Sequence, residues 1–299
     1  MNLTIMDEVR AALKNNQPVV ALESTLITHG LPQPENARVG KWLENVCRES
    51  GAIPATMAIL DGMAHVGIDD ASLKRLATMT SPRKCSLRDI PIAMARGESG
   101  GTTVAATMFL AHQAGIRVFA TGGIGGVHRG HPFDVSNDLT ALGSIPMVVV
   151  CAGAKAILDL PLTLEVLETN GVTVVGYQTD ELPAFYYQKT GYPVDVRCDC
   201  AEEIAKIAMS RDEAGLKQAI LVVNPVPAAD AMNADDAEKA IYTALKEAEA
   251  AGISGKKVTP FLLDKVSALT DARSMKANLS LLSNNVRLAA AISCSLSSL

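Results

Sequence analysis

Residues 102–130 read TTVAATMFLAHQAGIRVFATGGIGGVHRG. Residues 102–114 have the composition of a helix, and Gly115 stops it. Arg117-Val118-Phe119-Ala120-Thr121 follows as a β-branched and aromatic run that opens into glycines, which reads as a buried strand. Helix, glycine break and apolar strand in immediate succession form the repeating unit of an α/β fold. The pattern recurs on both sides of this stretch. Residues 18–22, 52–60, 145–151, 172–176 and 219–223 are apolar and rich in β-branched side chains. Residues 35–50 read as a helix ending before Gly51, and the chain from Asp235 onward reads as mostly helical. The strands are apolar along their whole length instead of alternating, so both faces of their sheet must be covered. The expected class is α/β: a single-domain α/β/α sandwich around a mixed, mostly parallel central sheet. No internal repeat, low-complexity tract or Pro/Ser-rich linker interrupts residues 1–299, which predicts one domain.

Composition narrows the function classes. The 299 residues are 48% hydrophobic and 20% charged, with a mean hydropathy of +0.19. That is enough apolar content for a large core, and it excludes wholesale disorder. Aromatics are only 4%, so the core must be built from Ala, Val, Ile, Leu and Met. With 27 basic and 32 acidic side chains the net charge is −5, which argues against nonspecific nucleic-acid binding. The apolar runs fall far short of the ~20 residues that a membrane-spanning helix requires. The opening residues MNLTIMDE lack the basic-then-apolar pattern of a secretory signal. Six cysteines are scattered along the chain; Cys198-x-Cys200 is too tight for a zinc knuckle and has no second pair. They read as reduced thiols, and the expected location is cytoplasmic.

In open α/β sheets, ligands collect at the carboxyl ends of strands, and four polar stretches fall there. Glu23-Ser24-Thr25 directly follows the first strand, with His29-Gly30 beyond it. A carboxylate at a buried strand end can have a raised pKa and act as an acid; it can equally be an ordinary capping carboxylate. Gly100-Gly101-Thr102-Thr103 leads into a helix, either as a backbone cradle for phosphate or as a plain N-cap. The densest stretch is Gly122-Gly123-Ile124-Gly125-Gly126, followed by His128, Arg129, Asp134 and Asp138. Its glycines imply unusual backbone conformations or close ligand approach. Carboxylates with open water positions suit Mg²⁺ or Mn²⁺, whose usual partner is a phosphate. A flexible turn leading to a solvated helix cap is the plainer alternative. Finally, Lys155 follows an apolar strand through Cys151-Ala152-Gly153-Ala154, small residues that confine its amine. Burial, or a second cation such as Lys84, would depress its pKa and free it as a nucleophile, although either lysine taken singly is more often a surface group.

With these stretches in view, the chain resembles the pseudouridine-5′-phosphate glycosidase (pseudouridylate synthase) family. The resemblance is carried by Ala21-Leu22-Glu23-Ser24-Thr25, Pro54-Ala55-Thr56-Met57-Ala58, Lys84-Cys85-Ser86, residues 99–108 and residues 120–130. It continues through Phe133-Asp134-Val135-Ser136, Cys151-Ala152-Gly153-Ala154-Lys155, Gly176-Tyr177-Gln178-Thr179, Asn224-Pro225-Val226-Pro227 and Thr259-Pro260-Phe261-Leu262-Leu263. It implies reversible cleavage of the C–C glycosidic bond of pseudouridine 5′-phosphate to uracil and ribose 5-phosphate. It also implies a bound Mn²⁺, with Mg²⁺ or another divalent ion as substitute, and a homotrimer. By motif, Lys155 matches the covalent lysine, Glu23 the proton donor and Asp134 the metal ligand. Lys84, Val104, Ser136, Asn137 and Asp138 match substrate-contacting positions, and His128 and Asn278 match further active-site positions. The chemistry agrees with the residues. A C-glycoside has a far worse leaving group than an N-glycoside, so the carboxylate-pair route of ordinary glycosidases is insufficient. Opening the ribose and forming an iminium between Lys155 and C1′ offers another route. Two other classes fit the same parts: a Schiff-base sugar-phosphate aldolase or isomerase, and a non-enzymatic phosphosugar-binding regulator.

Overall fold

Residues 118–120 form a short strand at the middle of a large sheet, and the rest of the fold is arranged around it. The computed structural model describes residues 3–253 and 258–299; the side chains of Thr259 and Pro260, part of one of the motifs above, lie outside the described residues. The strands are β1 (Leu3–Ile5), β2 (Val19–Leu22), β3 (Ile53–Leu60), β4 (Met63–Val66), β5 (Arg83–Cys85), β6 (Gly100–Thr102), β7 (Val118–Ala120), β8 (Val127–His128), β9 (His131–Val135), β10 (Val148–Cys151), β11 (Leu158–Asp159), β12 (Thr173–Tyr177), β13 (Val196–Cys198) and β14 (Ile220–Val223). The helices are α1 (Asp7–Lys14), α2 (Glu35–Glu49), α3 (Asp70–Thr78), α4 (Ile90–Arg96), α5 (Val104–Gln113), α6 (Asn137–Leu142), α7 (Leu160–Thr169), α8 (Ala201–Glu213), α9 (Ala234–Ala250), α10 (Val258–Leu269) and α11 (Arg273–Ser298).

The main sheet runs β1-β4-β3-β2-β7-β10-β14-β12-β13, with β6 joining β3 and β5 joining β6. From β3 to β13 neighbouring strands are parallel; β4 and β6 pair antiparallel to β3. This is the mixed, mostly parallel sheet that continuous apolar strands require. All of β2, β7, β10 and β14 is buried, and each valine of β10 removed from water contributes roughly 1.5–3 kcal/mol. α2, α8 and α11 cover one face, while α5 and α6 cover the other, so the sheet is sandwiched as its composition predicts. α11, 26 residues long, crosses β2, β7 and β10. Polar side chains on its sheet-facing side are each matched: Ser293 Oγ donates to the Val19 carbonyl (3.1 Å), and Asn285 Nδ2 donates to the Thr121 carbonyl (2.8 Å). Buried polar groups of this kind tie the helix to one register on the sheet.

Strand order positions the site. The chain leaves β2 to build β3 on one side, then returns to lay β7 against the other side of β2. The carboxyl ends of β2 and β7 therefore flank the point where the winding reverses, which is where an α/β sheet opens a crevice for ligands. A small antiparallel sheet, β11-β8-β9, is formed by the segments that follow β7 and β10. Among the described residues, no helix is long and apolar enough to cross a membrane.

Candidate active site

Glu23 is the first residue past β2, and Thr121 the first past β7. The two strands are neighbours, so Thr121 Oγ1 reaches Glu23 Oε1 and donates to it, while Thr25 Oγ1 donates to Oε2. Each carboxylate oxygen thus has its own hydroxyl donor, and the acid group is aimed into a cavity of about 470 Å³. The glycine run 122–126 lies between Glu23 and the loop that follows β10. None of its glycines has a positive φ. Their smallness is demanded by contact within the protein: a Cβ on Gly125 would lie 2.2 Å from Ser136 Oγ and 2.8 Å from Asp138 Oδ2. Of the two expectations drawn from these glycines, the unusual backbone is not found, and the close approach observed is by protein side chains.

Lys155 sits at the far side of this run. Its backbone N–H donates to the Ile124 carbonyl (3.1 Å), and the Ile124 N–H donates to the Gly153 carbonyl (3.1 Å). Ala152 is gripped on both sides, through its N–H by Gly122 (2.9 Å) and through its carbonyl by the Phe185 N–H (3.0 Å). Gly153 has φ +87° and a Cβ there would fall 2.2 Å from the Pro183 carbonyl oxygen, so only glycine fits. The small residues before Lys155 thus let three segments close around it. The partly exposed side chain borders the cavity. Burial pushes the thiol of Cys151, nearby in sequence, up to about 12.

The remaining walls come from distant segments. Lys84, on β5, reaches the cavity because β5 is carried on β6 at the sheet edge. Val104 opens α5, and Ser136 caps α6 by accepting from the Asp138 N–H (3.2 Å). Asn137 Oδ1 accepts from Ser86 Oγ at 3.2 Å, joining the segment after β5 to the start of α6. Asp138 is buried, and its carboxylate accepts from the Ala105 N–H (3.0 Å) and the Gly125 N–H (2.9 Å). His128 Nδ1 and Asp134 Oδ2 are 2.7 Å apart across the β8–β9 pair, with Asp134 largely exposed. Asn278 and Leu282 from α11, with Leu263 from α10, close the cavity from the helical side. All ten residues matched to the family's site positions border this one cavity: Glu23, Lys84, Val104, His128, Asp134, Ser136, Asn137, Asp138, Lys155 and Asn278.

Two readings change. Residues 100–102 are a strand, so Thr102, expected to open the helix, ends that strand instead. A Cβ on Gly101 would meet Thr28 Oγ1 at 2.3 Å, so this glycine makes room for a protein hydroxyl. Helix α5 begins at Val104, with Thr103 as its N-cap. Of the Gly-Gly-Thr-Thr stretch only Thr103 borders the cavity. Arg129, crowded with the acidic loop in sequence, turns away from the cavity to Glu238. The residues that sequence reasoning missed are Thr121, as a partner of Glu23, and Phe185. Phe185 is buried at φ +60°, a conformation rare for a bulky side chain, and forms cavity wall. Nothing in its local sequence marks it.

A sheet wound in both directions, with a carboxyl group, lysines and amide or hydroxyl side chains converging where the winding reverses, defines an α/β enzyme for a small polar substrate. Comparison with known proteins narrows this to one family. Residues 8–295 match the model of the indigoidine synthase A like protein family. A protein of Dinoroseobacter shibae named pseudouridine-5′-phosphate glycosidase is 52% identical, covering 97% of this chain and 96% of its own. Proteins of the same name from Clostridium botulinum (51%; 99% and 98%) and Caldanaerobacter subterraneus subsp. tengcongensis (48%; 99% and 97%) are similar over the whole length. Among solved structures, a prealnumycin C-glycosynthase in complex with ribulose 5-phosphate has a TM-score of 0.91 at 39% identity, covering 99% of this chain and 97% of that one. An indigoidine synthase A-like protein of Thermotoga maritima has a TM-score of 0.90 at 38% identity, with 99% and 96% covered. The chain is an enzyme of the family of pseudouridine-5′-phosphate glycosidases and indigoidine synthase A like proteins.

Proposed function

We propose that this enzyme reversibly cleaves the C1′–C5 glycosidic bond of pseudouridine 5′-phosphate, giving uracil and ribose 5-phosphate. The carrying observation is the convergence of Glu23 and Lys155 on one cavity whose other walls bear Lys84, Ser136 and Asn137. The relatives' name and the sugar phosphate in the C-glycosynthase complex support the substrate class.

Lys155 Nζ attacks C1′ as the C1′–O4′ bond breaks, and O4′ takes a proton from Glu23. The ring-opened ribose is then held on the lysine as an amine. The ammonium formed on Lys155 returns a proton to the Glu23 carboxylate, and uracil C5 then takes that proton from Glu23 while the C1′–C5 electron pair moves onto the base. The lysine nitrogen donates its lone pair to C1′, forming an iminium. Water adds to C1′ and releases ribose 5-phosphate with the amine restored. Lys84, Ser136 and Asn137 form the phosphate end, where a cation and hydroxyl or amide groups suit a dianion.

A divalent ion fits this donor set in one manner only. Among the described residues no three His, Cys, Asp or Glu side chains lie close enough to hold a metal. Asp134 is a single, largely exposed carboxylate at the cavity, which suits Mn²⁺ or Mg²⁺ completed by water and substrate oxygens. When bound there, the ion would neutralise charge on a phosphate-bearing substrate. We further propose a homotrimer, for which the fully exposed Phe133 on the hairpin bearing Asp134 offers an apolar contact. A cytoplasmic location is part of the same reading, since the six cysteines form no disulfide.

The test follows pseudouridine 5′-phosphate at ultraviolet wavelengths. Release of uracil supports the proposal. Turnover of sugar phosphates by C–C cleavage without uracil release would favour an aldolase, and tight binding of ribose 5-phosphate with no turnover would favour a regulator.

A further inference from the structure

Arg129 immediately follows His128 in the chain, and Ala156 immediately follows Lys155. One guanidinium connects the two places. Arg129 Nη2 donates to the Ala156 carbonyl (2.8 Å), and Nε donates to the Leu158 carbonyl (3.0 Å). The other side of the fork pairs with Glu238 of α9, through Nη1 to Oε2 (2.7 Å) and Nη2 to Oε1 (3.0 Å). Tyr187 Oη also donates to Glu238 Oε1 at 2.9 Å. Burial pushes the Tyr187 phenol up, so it stays a neutral donor. Ala156 and Leu158 are buried, which makes a loss of these carbonyl bonds costly to repair by water.

We propose that Arg129, locked by Glu238 and Tyr187, is the positioning residue that fixes the Lys155 loop relative to the strand carrying His128. Three points carry this. The contacts fall on the backbone directly after the lysine, so a shift of that loop shifts the amine. The geometry uses the planar fork on two carbonyls and one carboxylate at once, an arrangement that an ammonium on a flexible stem cannot reproduce. And Arg129 does not itself border the cavity, so its effect must pass through the loop. The inference rests on Lys155 being the covalent nucleophile.

A purely structural ion pair and a positioning device make opposite forecasts for Arg129→Lys. The former is largely rescued by any cation opposite Glu238. The latter is not, because displacement of a reacting group by about 1 Å can cost on the order of 10²-fold in rate. The experiment measures thermal stability, kcat and KM for pseudouridine 5′-phosphate, and the rate of borohydride trapping with ribose 5-phosphate. It uses the wild type, Arg129→Lys, Glu238→Gln and Tyr187→Phe. Expected for Arg129→Lys is a folded protein with KM within about twofold and kcat and trapping rate both reduced about 10- to 100-fold. Glu238→Gln should follow in the same direction and Tyr187→Phe more weakly. Wild-type kcat and trapping rate in folded Arg129→Lys overturn the proposal. If that variant fails to fold, unchanged rates in Glu238→Gln overturn it instead. Absence of a Lys155 adduct in the wild type removes the nucleophile assignment, and the proposal with it, a result distinct from the other two.

Discussion

Replacing Asp138 by alanine isolates how much of the site is held by one buried carboxylate. Its two oxygens accept from the Ala105 N–H at the start of α5 and from the Gly125 N–H in the glycine run. The first of these is one of the N–H groups that a helix start leaves without a partner inside the helix. Hydrogen bonds to a charged group contribute about 1.5–3 kcal/mol each, so two lost together cost about 3–6 kcal/mol. Removing the buried charge returns part of this, because the carboxylate no longer has to be kept out of water. The net expectation is a loss of about 3 kcal/mol, large against a typical total of about 5–15 kcal/mol. Asp138→Asn keeps one acceptor but turns an amide N–H₂ toward the other donor, and should recover less than half of that loss. Urea unfolding followed by circular dichroism measures both. A loss below about 1 kcal/mol for Asp138→Ala would mean that the two N–H groups find other partners, and the reasoning would be refuted.

Glu23→Gln keeps the shape that Thr25 and Thr121 hold but removes the exchangeable proton. It should lose at least about 10²-fold in turnover while still trapping ribose 5-phosphate on the lysine, and near-normal turnover would reduce Glu23 to a structural strand-end group. Asp134→Ala should lower bound manganese, read by elemental analysis, together with activity; full activity after exhaustive chelation would count against the metal assignment. The half-buried His65 is held below its ordinary pKa by burial, and among the described residues its Nε2 has no partner. Its folded value lies below its unfolded value of about 6.5, so the unfolded chain takes up the proton first as pH falls. Stability is therefore fully present above about pH 6.5 and declines toward the folded value. His65→Gln should remove that decline relative to the wild type, and parallel stability curves from pH 7 to 5 would exclude His65 as its source.

The strands that build the middle of the sheet were legible because they are buried on both faces, which leaves an uninterrupted apolar run such as residues 148–151. The peripheral elements were not. β9 is exposed throughout, and β5 and β6, although β6 is buried, are three residues each, too short to show a period. Those same short pieces carry Lys84 and Asp134, which entered through local motifs and not through any strand signal. Glu23 and Lys155 were visible because each follows an apolar strand directly. Their partners were hidden by distance in sequence: Thr121 lies 98 residues from Glu23, and Glu238 lies 109 residues from Arg129. Glycine-rich stretches were visible as stretches, but whether ligand or protein fills the space beside them is decided by side chains elsewhere, such as Thr28 beside Gly101.

The proposed reaction depends on a covalent bond between Lys155 and the sugar. Borohydride reduction of the enzyme in the presence of ribose 5-phosphate, followed by peptide mass mapping, tests it most directly. The reduced sugar-phosphate mass is expected on the peptide containing Lys155, and it should be lost in Lys155→Ala together with at least about 10³-fold of the turnover. An adduct on Lys84, or turnover of pseudouridine 5′-phosphate with no adduct at all, would contradict it.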